Sequence, residues 1–146
     1  MVASVRLIGG NIFGRLPFSL NYNSFGTYAP IGLEVPYTLA TMRPNEFVAD
    51  RFFMSFLRYK IPVFMQSPYK FKPVIYLNGA AAWGEMSRYS NGSFENGYYE
   101  AGVVLDNLFK MIFFKYGLGL YYRMGSYQLP NFQDNWAFKV SVEFAL

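Results

Sequence analysis

The chain has 146 residues, enough for one domain, with 53% hydrophobic, 21% aromatic and only 15% charged residues. It contains neither Cys nor His, which excludes disulfides, thiolate or imidazole metal sites and His-based acid–base chemistry. Its net charge of +4 comes from Lys and Arg scattered singly, without the run or stripe that nucleic-acid binding needs.

Thirteen Tyr and 16 Phe in a chain this size point to β structure or to a membrane interface. No apolar run approaches the roughly 18 to 20 residues of a transmembrane helix. Apolar residues instead take alternate places, the period of a strand with one buried face.

In chain order, the first predicted strand covers Ser4 to Phe13. The segment from Gly14 to Asn45, rich in Pro, Gly and Asn, reads as one long loop. Loops of that length inside a compact unit are usually functional. Two pieces of it, "PFSLNYNSF" and "IGLEVPYTLA", alternate weakly and could form a further hairpin. The second strand covers Glu46 to Lys60 and the third Pro73 to Gly84, with Pro62 and Pro68 punctuating the turn region between them. Asn91-Gly92 marks another turn. The fourth strand runs from Tyr98 to Leu108, and "DNLFK" reads as its short connection to the fifth, Met111 to Arg123. There Tyr116, Leu118, Leu120 and Tyr122 share one face, and Lys115, Gly117, Gly119, Tyr121 and Arg123 the other. The sixth strand closes the chain. Trp136, Phe138, Val140, Val142, Phe144 and Leu146 form an apolar ladder opposite Lys139, Ser141 and Glu143.

Alternation alone does not say which face is buried. The predicted strands, about 11 to 14 residues long, exceed the common 5 to 6 and suit a tilted bilayer crossing. Aromatics near the strand ends (Trp83, Tyr98, Tyr99, Tyr121, Tyr122, Trp136) suit an interfacial girdle. The expected fold is therefore an all-β, antiparallel transmembrane β-barrel, with the apolar ladders facing lipid and the ionic side chains facing the lumen. Six strands fall short of the roughly eight that close such a barrel, so the segment is expected to belong to a larger barrel, to oligomerise, or to hold two more strands in its long loop.

The ladder at the C-terminus resembles the terminal-strand signal of bacterial outer-membrane barrels, with Leu146 in place of the usual final aromatic. Four further pieces, "GNIFGRLPFSL", "NEFVADRFF", "GYYEAGVVLDNLFK" and "YYRMG", resemble in order and spacing the C-terminal barrel of a large Bacteroidota outer-membrane family of unknown function. Its members place a carboxypeptidase-regulatory-like β-sandwich ahead of a barrel similar to the BamA-type surface-antigen superfamily. The resemblance implies that residues 1–146 are the C-terminal part of a 16-stranded barrel. It also implies that residues 14–45 are a lumen-inserted loop, and that the protein resides in the bacterial outer membrane. The implied partners are membrane lipid, the barrel-assembly machinery and the remaining strands of the parent. The implied role is non-enzymatic, in outer-membrane protein or lipid assembly or translocation. The superfamily loop carries an Arg-Gly-aromatic motif; the nearest candidate here, Arg15 in "GRLPF", departs from it.

The candidate lumen residues are Arg15, Asp50, Arg51, Glu100, Lys115, Arg123, Lys139 and Glu143. Asp50 and Arg51 point to opposite faces, and one of them is a candidate anchor for the long loop. Glu100 and Glu143, flanked by Lys115, Lys139 and Arg123, suit salt bridges better than a carboxylate pair for glycoside cleavage. No catalytic residue, cofactor or metal is expected. A self-contained eight-stranded barrel acting as a pore or hydrophobic-ligand channel, and a soluble β-barrel carrier, are the competing expectations.

Overall fold

The structure, a computed structural model, describes residues 2–13, 22–23, 26–29, 31–61, 73–85, 94–111 and 114–144. It is all-β, with two short 3-10 turns, Gly125–Tyr127 and Phe132–Asn135, before the last strand. The strands are β1 (Val2–Asn11), β2 (Tyr22–Asn23), β3 (Ile31–Leu33), β4 (Val48–Ala49), β5 (Arg51–Ile61), β6 (Val74–Glu85), β7 (Tyr98–Met111), β8 (Phe114–Met124) and β9 (Trp136–Phe144). Seven of them form one sheet in the order β1-β5-β6-β7-β8-β9-β3, and β2 pairs with β4.

The six long strands are those expected from alternation, and each pairs antiparallel with its neighbour. Three details differ. The predicted loop contributes β3, which adds to the free edge of β9 in parallel register. Residues 46–47 stay outside the second predicted strand, and Val48–Ala49 pair with Tyr22–Asn23 instead. "DNLFK" is not a connection: β7 continues to Met111. The ladder's last residue, Leu146, lies outside the described residues, and β9 ends at Phe144.

The continuation of β7 has a visible cause. Leu105 pairs with Leu118 and Phe109 with Tyr116, so four residues of β7 advance against two of β8. Asn107 absorbs the excess in the left-handed region, at φ 55°, which Asn tolerates better than most residues. Because the excess is two residues, the same face stays outward beyond the bulge.

The sheet's two faces have opposite chemistry. The loop between β1 and β5 lies over one, here called the inner face. Its Leu39, Met42, Phe47 and Ala49 form an apolar core with Met54, Phe56, Ala82, Phe94 and Tyr98 at one end of the sheet. Burying each of the larger side chains stabilises the docked loop by about 1.5–3 kcal/mol. Within the loop, Gly26 lets two segments approach closely. A Cβ there would stand 2.3 Å from the Arg43 carbonyl oxygen.

The outer face is apolar and open. Phe138, Leu118 and Val103 are 57%, 55% and 43% exposed, while Lys139, Arg123 and Glu100 on the inner face are 1%, 2% and 3% exposed. The rings gather at the strand ends. Phe53 and Trp83 (6.1 Å between centroids), Trp83 and Tyr99 (5.6 Å), and Tyr122 and Trp136 (4.6 Å) line one end. Phe109 stacks on Tyr116 at the other, 4.9 Å away. Leu57, Leu77, Val103, Leu105, Leu118 and Leu120 lie exposed between.

Candidate functional site

The inner face carries a set of charged and hydroxyl side chains that fasten the loop. Glu100, on β7, accepts hydrogen bonds from the Ala40 N–H (2.8 Å), the Thr41 N–H (2.9 Å) and the Thr41 hydroxyl (2.8 Å). Since Thr41 donates there, the Tyr98 hydroxyl donates to Thr41 Oγ1 at 2.6 Å. A buried carboxylate demands such donors, and a loop turn supplies all three. Lys139, on β9, donates to the Thr27 carbonyl.

Arg123, on β8, donates through Nη2 to Glu46 Oε1 at 2.6 Å, and Glu46 Oε2 accepts from the Arg43 N–H at 2.8 Å. The guanidinium lies over the rings of Tyr98 (4.9 Å to the centroid) and Phe47 (6.0 Å). The ring contacts give the flat cation a favourable face where Nε and Nη1 have no hydrogen-bond partner among the described residues.

Further along the face, Arg58 of β5 reaches Glu34 Oε1 (3.4 Å) and Asp106 Oδ2 (3.6 Å), and lies 4.1 Å over the Tyr76 ring. The Tyr121 hydroxyl donates to Glu34 (3.2 Å) and accepts from Asn78 Nδ2 (2.7 Å). Ser141 donates to Asp106 at 2.6 Å. Burial pushes the Glu34 carboxyl above the ordinary range. Arg58 pulls it down, less strongly, and Asp106 adds a further upward push.

Together these groups surround a cavity of about 30 Å³ that Glu34, Arg58, Asn78, Glu100, Tyr121 and Lys139 help to line. That is room for about two waters. Asn78 Oδ1 is buried without a hydrogen-bond partner among the described residues. The arrangement can hold water and fix a loop; its opposite charges are spent on each other and on the loop backbone.

The expected residues divide clearly. Glu100, Arg123 and Lys139 come together under the loop. Lys115 and Glu143 form the expected ionic pair, at 3.7 Å, but towards the open end of the face, where both retain exposure. Arg51 does not anchor the loop. It sits exposed on the outer face, 3.9 Å from Glu85. At Asp50 the backbone joins neighbouring strand ends, donating to Glu85 O (3.0 Å) and accepting from Ile12 N (2.8 Å). Arg15 lies outside the described residues. Among the described residues, Arg58, seven residues beyond Arg51 on β5, makes an ionic contact to the loop through Glu34.

Glu34, Thr41, Glu46, Arg58 and Asp106 were not singled out from the sequence. Arg58 shares its face with Phe52, Met54 and Phe56, a row that reads as apolar, so alternation gave its charge no special place. Ser141, on the same face as Lys139, is buried against Asp106.

The glycines of β8 sit where the wall is crowded. The crowding comes from the wall itself. A Cβ at Gly117 would lie 2.5 Å from the Leu105 carbonyl oxygen, and one at Gly119 would lie 3.1 Å from the Tyr121 ring.

No family model matches the chain. No curated protein and no solved structure matches it either.

Proposed function

We propose that the chain builds part of the wall of a β-barrel in the bacterial outer membrane, with the loop between β1 and β5 plugging the interior. The single observation that carries this reading is the inverted polarity of the sheet. Its open face is apolar across all the long strands, while Lys139, Arg123 and Glu100 are shut beneath the loop. Soluble proteins rarely expose contiguous apolar patches beyond a few hundred Å².

The strand lengths agree. Strands of 11 to 14 residues, as in β5 to β8, extend about 36–46 Å and cover about 25–33 Å of thickness when tilted by about 45°. The outer apolar band of such barrels is about 25 Å tall between aromatic girdles. The ring clusters at both strand ends occupy the girdle positions.

The role is non-enzymatic. β9 closes the wall and presents the ladder of Trp136, Phe138, Val140 and Val142 to the assembly machinery. The rest of the wall comes from further strands of a BamA-type parent, a 16-stranded barrel by resemblance. That parent's work in protein or lipid assembly or translocation rests on the same resemblance.

Of the two pieces that an eight-stranded pore would pair as a hairpin, most of "PFSLNYNSF" lies outside the described residues, and Ile31–Leu33 of the other pair with β9. The enclosed cavity beneath the loop, about 30 Å³, is smaller than the roughly 300 Å³ of a carrier's pocket, and the larger hollow of about 460 Å³ beside Phe52, Phe53 and Trp83 is open.

The test is refolding with and without lipid. The chain should aggregate in plain buffer. In vesicles of short-chain phosphatidylcholine it should gain β structure and protease protection. A monodisperse soluble monomer in plain buffer would overturn the proposal.

A further inference from the structure

The sheet's last edge poses a problem that its own geometry sharpens. β9 has nine residues. Among the described residues, only Ile31, Gly32 and Leu33 pair with its free edge, opposite Phe138, Lys139 and Val140, and the Glu34 N–H adds a bond to the Val140 carbonyl at 2.9 Å. Among the described residues, no strand pairs with the rest of that edge. In hydrocarbon each unsatisfied group costs several kcal/mol, so three residues of cover leave a membrane-spanning strand incomplete.

β3 nevertheless has the polarity of a wall strand. Ile31 and Leu33, 76% and 65% exposed, extend the outer apolar face. Gly32 points inward, where a Cβ would approach Lys139 Nζ to 3.3 Å. Its direction is what sets it apart. The pairing is parallel in a sheet whose other pairings are antiparallel. With six long strands alternating in direction, β1 and β9 run opposite ways, so a wall that continues the alternation past β9 brings an antiparallel strand to it. That strand and β3 need the same backbone groups of residues 138–140.

We infer that β3 is an exchangeable cover for the edge of β9, displaced when a full-length antiparallel transmembrane strand of the same barrel pairs there. The inference rests on the membrane-wall reading above. The incoming strand alternates apolar and polar residues as β9 does, and places a basic or small side chain beside the exposed Glu143 carboxylate on the inner face. β1 shows what such a strand looks like, with Val5 and Leu7 exposed on the outer face and Arg6 on the inner one.

The chain's lack of Cys makes the test clean. In the double variant Leu33→Cys/Val140→Cys the two positions are register partners. Such neighbours sit about 4.8 Å apart, within the roughly 4.4–6.8 Å that a disulfide spans. The probe is a fluorescent peptide with the sequence of β1, residues 2–11, added to the detergent-refolded chain. The reduced variant and the wild type should bind it, and hydrogen-exchange protection at Ile31–Leu33 should fall as it binds. Oxidation should weaken binding roughly tenfold or more.

Equal binding by the oxidised and reduced forms would overturn the exchange. So would binding that leaves protection at Ile31–Leu33 unchanged, which places the peptide on another edge. Dimers of the chain that form without peptide and vanish on oxidation would overturn the assignment of the partner to the same barrel. Failure of the wild type to enter vesicles sinks the membrane reading alone, because the exchange is read in detergent.

Discussion

Glu34 shows how one side chain couples the loop to the sheet. It follows β3, turns inward, and meets Arg58 and Tyr121. Burial outweighs the attraction of Arg58 and holds its folded-state pKa above the ordinary value. For a group raised in this way, the stabilising contribution is complete below the unfolded pKa, about 4.3, and lost as pH rises through the folded value. Glu34→Gln keeps the neutral state at every pH and can still accept from Tyr121. The wild type should therefore lose stability relative to Glu34→Gln as pH rises from about 4 towards neutrality. Urea midpoints in detergent across that range check this, and midpoints that move in parallel would refute it. Arg123 makes a different demand. It is buried, bonded to Glu46 and laid over two rings, so Arg123→Met removes the cation and leaves Glu46 facing the core. Breaking a buried pair this way costs about 3 kcal/mol. Arg123→Lys should recover only part of the loss, because an ammonium offers no flat surface to the rings. Full recovery by lysine in the same unfolding assay would show that charge alone matters there.

At the scale of elements, alternation made the wall legible and backbone irregularity hid the rest. Period-2 patterning located all six long strands and separated the two faces of β8 and β9 correctly, down to Arg123 and Lys139. It failed where the chain departs from the pleat. Asp106-Asn107 looks like a turn because Asn suits the left-handed region, and Asn107 does adopt it, at φ 55°. The hydrogen-bond ladder resumes at Phe109, which no local signal announces. β3 was illegible for a related reason, since three residues are too few to show a period and their pairing with β9 spans over a hundred positions. The fastening residues were half legible. Those on regular strands with polar neighbours stood out, whereas the loop's Glu34, Thr41 and Glu46 acquire meaning only from what they meet. The bulge can be tested directly. Asn107→Val forces a β-branched residue into positive φ and should cost about 2 kcal/mol, more than Asn107→Gly, which suits that φ. Equal stability of the two variants in denaturant titrations would mean that the backbone there relaxes away from the bulge.

For the whole molecule, the question is which solvent the apolar face meets, and one substitution separates the answers. Leu118 lies on β8 between Tyr116 and Tyr122, with Leu105 and Val140 as its register partners on either side. It is more than half exposed. If water covers this face, Leu118→Arg is an ordinary surface change, within about 0.5 kcal/mol of neutral. If lipid covers it, the same change places a cation near the middle of the apolar band, at a cost of about 2–4 kcal/mol. Glu143→Gln on the inner face supplies the control, since it removes an exposed charge facing Lys115 and should cost less than about 1 kcal/mol in either solvent. Reversible urea unfolding from phosphatidylcholine vesicles measures both. The membrane wall requires a large penalty for Leu118→Arg beside a small one for Glu143→Gln, because only lipid makes a change at an exposed apolar position costly.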